Sequence, residues 1–564
     1  MVTTSNGNEI LLERYPELFF LLQYGDVPEL EMSLSKVVGD FSVAHLEALS
    51  TIYVCGLGEG SVYTRLLPWL KAQKSRRLIF LEEKIEAVRA LLDFPEVFLD
   101  PQVVVRLAPQ HVEAVIQELV SSFPCDRVDV FSSGTCSLRR FRQIRLQILR
   151  KTTLTHSLMN ESLHYHKLLL NIIPNMHRWE NSFLANGLKN KLHNIPAFIC
   201  GAGPSLAEQI PHLAELKDRA LLIAGGSAIT VLSSQGVIPH LGIALDPNKE
   251  EFERLKQASS YEMPLLYASR LQPDVFNTTN AETGYIVSDT GGGFEKYMEE
   301  ASKFPPSAIG ENLGMEALSV TTLSLALAVE MGCNPIFFSG VDLAYTGGER
   351  YARGVAAPSH RGQPKKASGQ LLKRPNIQGK QVDTTVQWVM ERDCISAFAK
   401  DTPHVRFINT SSAGLGFRGI PNYSLKTLLE TECQLPLDLH GLIHAQIQQL
   451  KLPPLQKVVT TQIDQMKESL SRLKQLMSAY ICEIEKLQNT HSQEPLPTSQ
   501  MLLLELDMQE ESGFTHVNAN IGPLLDRFLS RSSANEDKLE QSHTKFSRWK
   551  ELVSEQIAVF EAFS

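Results

Sequence analysis

The amino-acid sequence predicts an α/β protein made of two Rossmann-like domains followed by an α-helical C-terminal region. Three observations lead to this fold class. Residues 51–131 and 195–409 alternate short apolar runs with helical patterns, as parallel βαβ units do. A glycine-rich turn follows the first strand of each segment. Between residues 459 and 487, apolar residues recur at alternating spacings of four and three, which indicates a long helix with one apolar seam.

The domain boundaries are predicted from the same patterns. An accessory Rossmann-like domain is expected at residues 1–150 and a helical linker at 151–194. A second, central Rossmann-like domain is expected at 195–435, and a helical bundle or hairpin at 436–564. Pro436 marks the last boundary, because the composition changes there.

Composition and charge argue against several classes of protein. The 564-residue chain is 43% hydrophobic and 21% charged, as folded globular proteins are. Its formal net charge of −9 argues against a nucleic-acid partner. No apolar run reaches the roughly 18 residues of a membrane span, and the first residues do not resemble a signal peptide. The eight scattered cysteines form no Cys-x-x-Cys pair, which favours reduced thiols and a cytoplasmic location.

The first Rossmann-like domain is predicted to hold four strands around a glycine turn. These strands are expected at residues 51–55, 77–81, 103–107 and 127–131. The turn contains Gly56, Gly58 and Gly60, and the acidic residues Glu82 and Glu83 follow the second strand. The pattern is typical of nucleoside sites, including those for S-adenosylmethionine, and also of an accessory domain without a ligand.

The second domain begins with a strand, a glycine turn and the start of a helix. An apolar run at 197–200 predicts a buried strand, and the two glycines after it allow a tight turn. A proline and a serine then suit the first turn and the cap of a helix. Because the N–H groups at a helix start attract phosphate, we expect this turn to bind the phosphate of a nucleotide. The residues predicted to do so are Gly201, Gly203, Pro204, Ser205 and Leu206.

Further strand ends of this domain bring glycine or polar residues to one edge of the sheet. The strands are expected at residues 220–224, 241–245, 265–268, 285–288, 335–339 and 405–409. In open α/β sheets, ligands bind at the carboxyl edge of the strands. A helix at 318–331 adds a Ser/Thr-rich start that suits an anion, a sugar hydroxyl or an ordinary helix cap. The predicted binding residues at these positions are Gly225, Gly226, Ser227, Asp246, Asn248, Ser319, Thr321, Gly340 and Asp342.

Two later segments differ from the sheet pattern. Residues 345–380 are rich in Gly, Pro, Lys and Arg and are too long for an idle connection, so they predict a mobile lid. Beyond residue 436 the apolar seam predicts internal packing of helices, with self-association as the alternative use of that surface.

Three motifs of the central domain resemble those of the motility-associated factor (Maf) family. The motifs are Gly201-Ala-Gly-Pro-Ser-Leu206, Ala244-Leu-Asp-Pro-Asn248 and Phe338-Ser-Gly-Val-Asp-Leu-Ala-Tyr-Thr-Gly-Gly348. The resemblance covers about residues 160–425 and is looser over 1–150. Maf proteins are glycosyltransferases linked to flagellin modification. Their central domain is similar to bacterial sialyltransferases and to MptE-like 6-hydroxymethylpterin diphosphokinases.

The resemblance implies a sialyltransferase-like central domain that transfers a nonulosonic, sialic-acid-like sugar. The donor would be a CMP-sugar, and the acceptor a protein hydroxyl such as a flagellin Ser or Thr. Because such a donor leaves as a monophosphate, no metal and no tightly bound cofactor are expected. In the related sialyltransferases the general base is a histidine on a flexible segment after the Gly-x-Asp strand. His360 is the only histidine between His240 and His404, and its position makes it the expected catalytic base.

Two alternatives stay open. In a pterin diphosphokinase, Asp246 and Asp342 would hold Mg²⁺ bridging the phosphates of ATP. In a non-catalytic scaffold, the Rossmann-like domains would bind a nucleotide and the helices a partner. The nucleotide that stabilises the protein discriminates between these functions. CMP or CTP indicates the transferase, ATP with Mg²⁺ the kinase, and S-adenosylmethionine a site in the first domain.

Overall fold

Both large sheets of the computed structural model are parallel, which confirms the predicted α/β class. The structure describes residues 9, 11–25, 37–92, 94–108, 112–259, 261–313, 319–355, 371–490, 497–531 and 538–563. The chain divides into two units. One comprises Met1–Met159 with Pro364–Leu372, and the other comprises Asn160–Gln363 with Lys373–Ser564.

The first unit contains a four-stranded sheet close to the predicted one. Its strands are β1 (Thr51–Cys55), β2 (Arg77–Glu82), β3 (Val103–Leu107) and β4 (Val128–Ser132), in the order β3-β2-β1-β4. Its helices are α1 (Pro16–Tyr24), α2 (Val43–Glu47), α3 (Ser61–Ala72), α4 (Ile85–Ala90), α5 (Glu96–Leu99) and α6 (Val112–Ser122), and α7 (Leu138–Leu163) begins there. Most residues of these strands are apolar and buried.

The acidic side chain predicted beside the glycine turn of this unit is bonded to the turn itself. Glu82 is buried at the end of β2, and its Oε2 accepts a hydrogen bond of 2.8 Å from the Leu57 N–H. Burial raises the pKa of Glu82, and the backbone donors lower it. The carboxylate therefore stabilises the turn, and a nucleoside site here stays a prediction.

The second unit is built on an eight-stranded parallel sheet. Its strands are β5 (Ser182–Leu184), β6 (Ala197–Cys200), β7 (Leu221–Gly225), β8 (Leu241–Ala244), β9 (Leu265–Tyr267), β10 (Thr283–Tyr285), β11 (Ile336–Ser339) and β14 (Phe407–Asn409). Their order is β14-β11-β6-β7-β8-β9-β10-β5. The stretch predicted as a linker, 151–194, contributes the edge strand β5. Three residues are too few to show a strand period, so the sequence pattern did not reveal this strand.

Helices cover both faces of this sheet and continue to the C-terminus. They are α8 (Tyr165–Met176), α9 (Leu206–Glu215), α10 (Ser227–Ser234), α11 (Lys249–Leu255), α12 (Gly292–Ala301), α13 (Val320–Glu330), α14 (Val386–Asp401), α15 (Leu425–Thr431), α16 (Leu439–Gln449), α17 (Gln456–Thr490), α18 (Ser499–Glu510), α19 (Ser512–Arg531) and α20 (Lys538–Ala562). None of the described helices is long and apolar enough to cross a membrane.

The C-terminal end of the segment predicted as a lid contains regular secondary structure. Strands β12 (Leu371–Pro375) and β13 (Gln381–Thr385) form a two-stranded sheet in or beside it. Residues 356–370 of the predicted lid lie outside the described residues. The sequence analysis missed this pair of strands because their charged and polar residues mask the alternation of a half-buried strand.

The C-terminal helices share one hydrophobic core with the central sheet. All nine residues of the predicted apolar seam are buried: Val459, Ile463, Met466, Leu470, Leu473, Met477, Tyr480, Ile484 and Leu487. Phe560 of α20 meets Phe294 of α12 edge to face, with ring centroids 4.9 Å apart. The seam therefore serves internal packing and is not available for self-association. The predicted boundary at residue 436, with a separate helical bundle or hairpin at 436–564, stays a prediction.

We expect Phe560→Ala to lower the free energy of unfolding by ~3–5 kcal/mol, because it leaves a cavity where a fully buried ring contacts Phe294. Urea unfolding followed by circular dichroism measures this loss. Leu506→Ala is the matched control, since Leu506 is 57% exposed and its truncation should change the value by less than ~0.5 kcal/mol. Equal small losses in both variants would show that α20 is not part of the core.

Candidate functional site

A cavity opens at the carboxyl edge of the central sheet, where the strand order reverses. β7 lies on one side of β6 and β11 on the other, so the loops after β6 and β11 diverge at this point. Ligands of open α/β sheets bind at such a switch point. The cavity has a volume of about 240 Å³, just below the ~300–1,000 Å³ typical of small-molecule pockets. It is large enough for part of a nucleotide sugar.

Most of the predicted binding residues line this cavity. Those that do are Gly201, Gly203, Gly225, Gly226, Ser227, Asp246, Ser319, Thr321, Gly340 and Asp342. Pro204, Ser205, Leu206 and Asn248 do not line it. His360, the expected catalytic base, lies outside the described residues. The ligand contacts of all these residues stay predictions, and their positions indicate what each can do.

The glycines after β6 allow two loops to approach each other closely. A Cβ atom on Gly201 would lie 2.7 Å from the carbonyl oxygen of Gly340, and one on Gly203 would lie 2.6 Å from the same oxygen. The Gly203 N–H donates a 2.8 Å hydrogen bond to that oxygen. A larger residue at either position would therefore push the loops after β6 and β11 apart.

The Asp342 carboxylate joins the same two loops. Its Oδ2 accepts hydrogen bonds from the Ser205 N–H (3.0 Å) and the Thr346 hydroxyl (3.1 Å), and its Oδ1 accepts one from the Ser205 hydroxyl. Burial raises the pKa of Asp342, while these donors lower it. The Leu206 N–H donates to the Gly203 carbonyl. The amides expected to bind phosphate are thus engaged within the chain, which favours a structural role for this turn.

A network of charged side chains forms the wall beside β8. Arg254 Nη1 donates a 2.8 Å hydrogen bond to Glu251 Oε2 and lies 3.9 Å from Asp246 Oδ2. Asn248 orients Asp246 by donating its N–H (2.9 Å) and its side-chain amide (2.7 Å) to Oδ1. Burial raises the pKa of Glu251 to about 7, against the lowering effect of Arg254. Glu251 and Arg254 were not predicted as site residues, because they lie in a charged helix without a motif.

The start of α13 forms another wall and is an ordinary helix cap as well. Ser319 Oγ accepts a 3.2 Å hydrogen bond from the Thr322 N–H, and the Thr322 hydroxyl accepts one from the Ser319 N–H, which makes a capping box. The Ser319 hydroxyl also lies 2.6 Å from Glu391 Oε1, to which it donates. Burial raises the pKa of Glu391. Ser319 therefore stabilises the helix and lines the cavity at once.

An arginine stacked on aromatic rings completes the lining. The guanidinium carbon of Arg350 lies 5.1 Å from the ring centroid of Tyr351 and 5.5 Å from that of Trp388. The rings of Tyr345 and Trp388 are 5.1 Å apart. Arg350 makes no hydrogen bond or ion pair with any residue that the structure describes, and its Nε is buried without a partner. The sequence analysis assigned Arg350 to the lid, and no local signal indicated that it faces a cavity.

The chain resembles known proteins in part of its sequence and in its structure. Residues 170–348 match the family model described as 6-hydroxymethylpterin diphosphokinase MptE-like, which confirms that part of the resemblance. No curated protein gives a significant match to the chain. Among solved structures, the chain is similar to a Maf glycosyltransferase from Magnetospirillum magneticum AMB-1, with 15% sequence identity and a TM-score of 0.48. That match covers 99% of this chain and 96% of the other.

We expect Asp342→Asn to lower the free energy of unfolding by ~1–3 kcal/mol. The amide replaces an oxygen that accepts hydrogen bonds from Ser205 or Thr346 with a group that only donates. Urea unfolding gives the stability, and calorimetry gives the affinity for CMP. Asp246→Asn is the control, because Asp246 is more exposed. Unchanged stability with lost CMP binding would show that Asp342 contacts the ligand instead of joining the loops.

Proposed function

We propose that the chain is a glycosyltransferase that moves a nonulosonic, sialic-acid-like sugar from a CMP-activated donor to a protein hydroxyl, such as a Ser or Thr of flagellin. The observation that carries this proposal is the unpaired guanidinium of Arg350 in the wall of the cavity. The cytoplasmic location and the expectation of no tightly bound cofactor belong to the same proposal.

The position of Arg350 favours a ligand with an acidic group. A guanidinium that is partly buried without a counterion is costly, and the cost is offset when a ligand supplies an anion. A CMP-activated nonulosonic sugar carries two such anions, the phosphate and the sugar carboxylate. Each presents oxygens in the geometry that the planar guanidinium matches.

The aromatic side chains around Arg350 suit the rest of such a donor. Trp388 and Tyr351 line the cavity, and Tyr345 packs against Trp388. Aromatic faces stack with nucleobases and cover the apolar faces of sugar rings. Because the cavity admits only part of a nucleotide sugar, the remainder would extend toward the acceptor.

The family model favours a second candidate, the pterin diphosphokinase. In that reaction Asp246 and Asp342 would hold Mg²⁺ between the phosphates of ATP. Both Asp342 oxygens already accept hydrogen bonds, and Asp246 Oδ1 accepts two from Asn248. The arrangement of these two carboxylates therefore favours the transferase.

We expect CMP to raise the melting temperature of the full chain more than ATP with Mg²⁺ does, as thermal unfolding will measure. We also expect Arg350→Gln to weaken CMP binding about 10- to 100-fold in calorimetry, because a charge-assisted hydrogen bond to the phosphate is lost.

The matched control is Arg353→Gln, which removes the same charge from an exposed neighbour and should leave the affinity for CMP within twofold. Stabilisation by ATP with Mg²⁺ but not by CMP, together with a reaction that EDTA abolishes, would reject the transferase in favour of the kinase. Binding of CMP without consumption of any CMP-activated nonulosonic acid would indicate a scaffold.

A further inference from the structure

Glu251 is a buried carboxyl group with one uncommitted oxygen at the cavity wall. The side chain lies in the first turn of α11 and is 1% exposed. Its Oε2 is held by Arg254 Nη1 at 2.8 Å. Its Oε1 has no hydrogen-bond partner among the described residues. A buried oxygen of this kind is costly unless a ligand or a proton satisfies it.

A glycine of the cavity lining lies directly against this carboxyl group. Gly226 has a φ of +44° and is the N-cap residue of α10, and a Cβ atom there would lie 3.2 Å from Glu251 Oε1 and 3.4 Å from Oε2. Gly226 and Ser227 line the cavity together with Glu251. A side chain at position 226 would therefore crowd the carboxyl group, which belongs to the cavity lining beside the start of a helix.

The other carboxylates of the cavity are already engaged. Both oxygens of Asp342 accept hydrogen bonds from the chain. Glu391 accepts a hydrogen bond from Ser319. Asp246 is partly exposed and is held by Asn248. Among the described residues that line the cavity, Glu251 is the carboxyl group that combines full burial with a free oxygen.

We propose that Glu251 is the catalytic base of the site and accepts the proton of the acceptor hydroxyl at Oε1. This inference rests on the proposed glycosyltransferase function. The acceptor oxygen forms a bond with the anomeric carbon of the sugar as the bond from that carbon to the phosphate oxygen breaks. The bonding electrons leave with CMP, the hydroxyl proton moves to Glu251, and solvent takes it up afterwards. Arg254 holds the second carboxyl oxygen and acts as a positioning residue.

The electrostatic surroundings suit this role. The pKa of Glu251 is raised to about 7, chiefly by burial; Arg254 lowers it, and the nearby carboxylate of Asp246 adds to the rise. A general base works best when its pKa lies near the operating pH. Because the base must be ionised to accept a proton, the rate should fall as the pH drops below about 7.

The test measures CMP release by the full-length protein with flagellin as acceptor and a panel of CMP-activated nonulosonic acids as donors, between pH 5 and 9. We expect Glu251→Gln to lower kcat about 10²- to 10⁴-fold, to keep the affinity for CMP and to lose the fall in rate below about pH 7. Glu250→Gln is the matched control, because it removes the same charge from the exposed neighbouring residue. It should behave as the wild type does.

The outcomes separate this inference from the proposed function. Wild-type protein that consumes none of the donors overturns both. If the wild type is active and Glu251→Gln is as fast as Glu250→Gln, the inference alone is overturned. The same holds if Glu251→Gln is slow but its rate still falls below about pH 7. Loss of that fall in His360→Asn but not in Glu251→Gln assigns the base to His360. Should Glu251→Gln fail to fold, Glu251→Asp is the second variant, because it keeps the carboxyl group. The pH at which its rate falls must then differ from that of the wild type for the inference to stand.

Discussion

The Asp342 carboxylate holds together the two loops on which the cavity depends. It comes from the loop after β11 and accepts hydrogen bonds from the main chain and side chain of Ser205, at the start of the helix after β6. Gly201 and Gly203 permit this contact, because any side chain there would meet the Gly340 carbonyl. The reversal of strand order between β6 and β11 opens a crevice, and the aspartate joins the two loops beside it.

One of the two hydrophobic cores that pack on the sheet beneath the site also contains the C-terminal helices. The Tyr165 hydroxyl donates a 2.5 Å hydrogen bond to the Gly291 carbonyl at the start of α12, and Phe560 packs on the same helix. The apolar seam of α17 is buried in the same core. Helices distant in sequence thus hold α12 against the sheet. A rigid support of this kind keeps the loops of the carboxyl edge in the geometry that a ligand requires.

Two charged side chains of the cavity lack the partners that a purely structural role would give them. Arg350 lies against Trp388 and Tyr351 without a carboxylate among the described residues. Glu251 has one oxygen bound to Arg254 and one without a hydrogen-bond partner in the part of the chain that the structure describes. Unpaired buried polar groups reduce stability, and proteins concentrate them where a ligand or a reaction uses them. Arg350 is a cation that suits an anionic donor, and Glu251 is a carboxyl group that suits the acceptance of a proton. Both roles fit group transfer from an acidic sugar nucleotide to a hydroxyl.

The sequence by itself determined the α/β class, most strands of both sheets, the apolar seam of α17 and the edge at which the site lies. These features depend on local patterns, since strands, glycine turns and helix starts are encoded by neighbouring residues. Only the tertiary structure decided the rest. It buried the seam within the chain, added the short strand β5 to the sheet and engaged the amides of the β6 turn with Asp342. It also brought Glu251 and Arg350 to the cavity. Which residues of a helix or loop face a cavity depends on packing between segments that are distant in sequence.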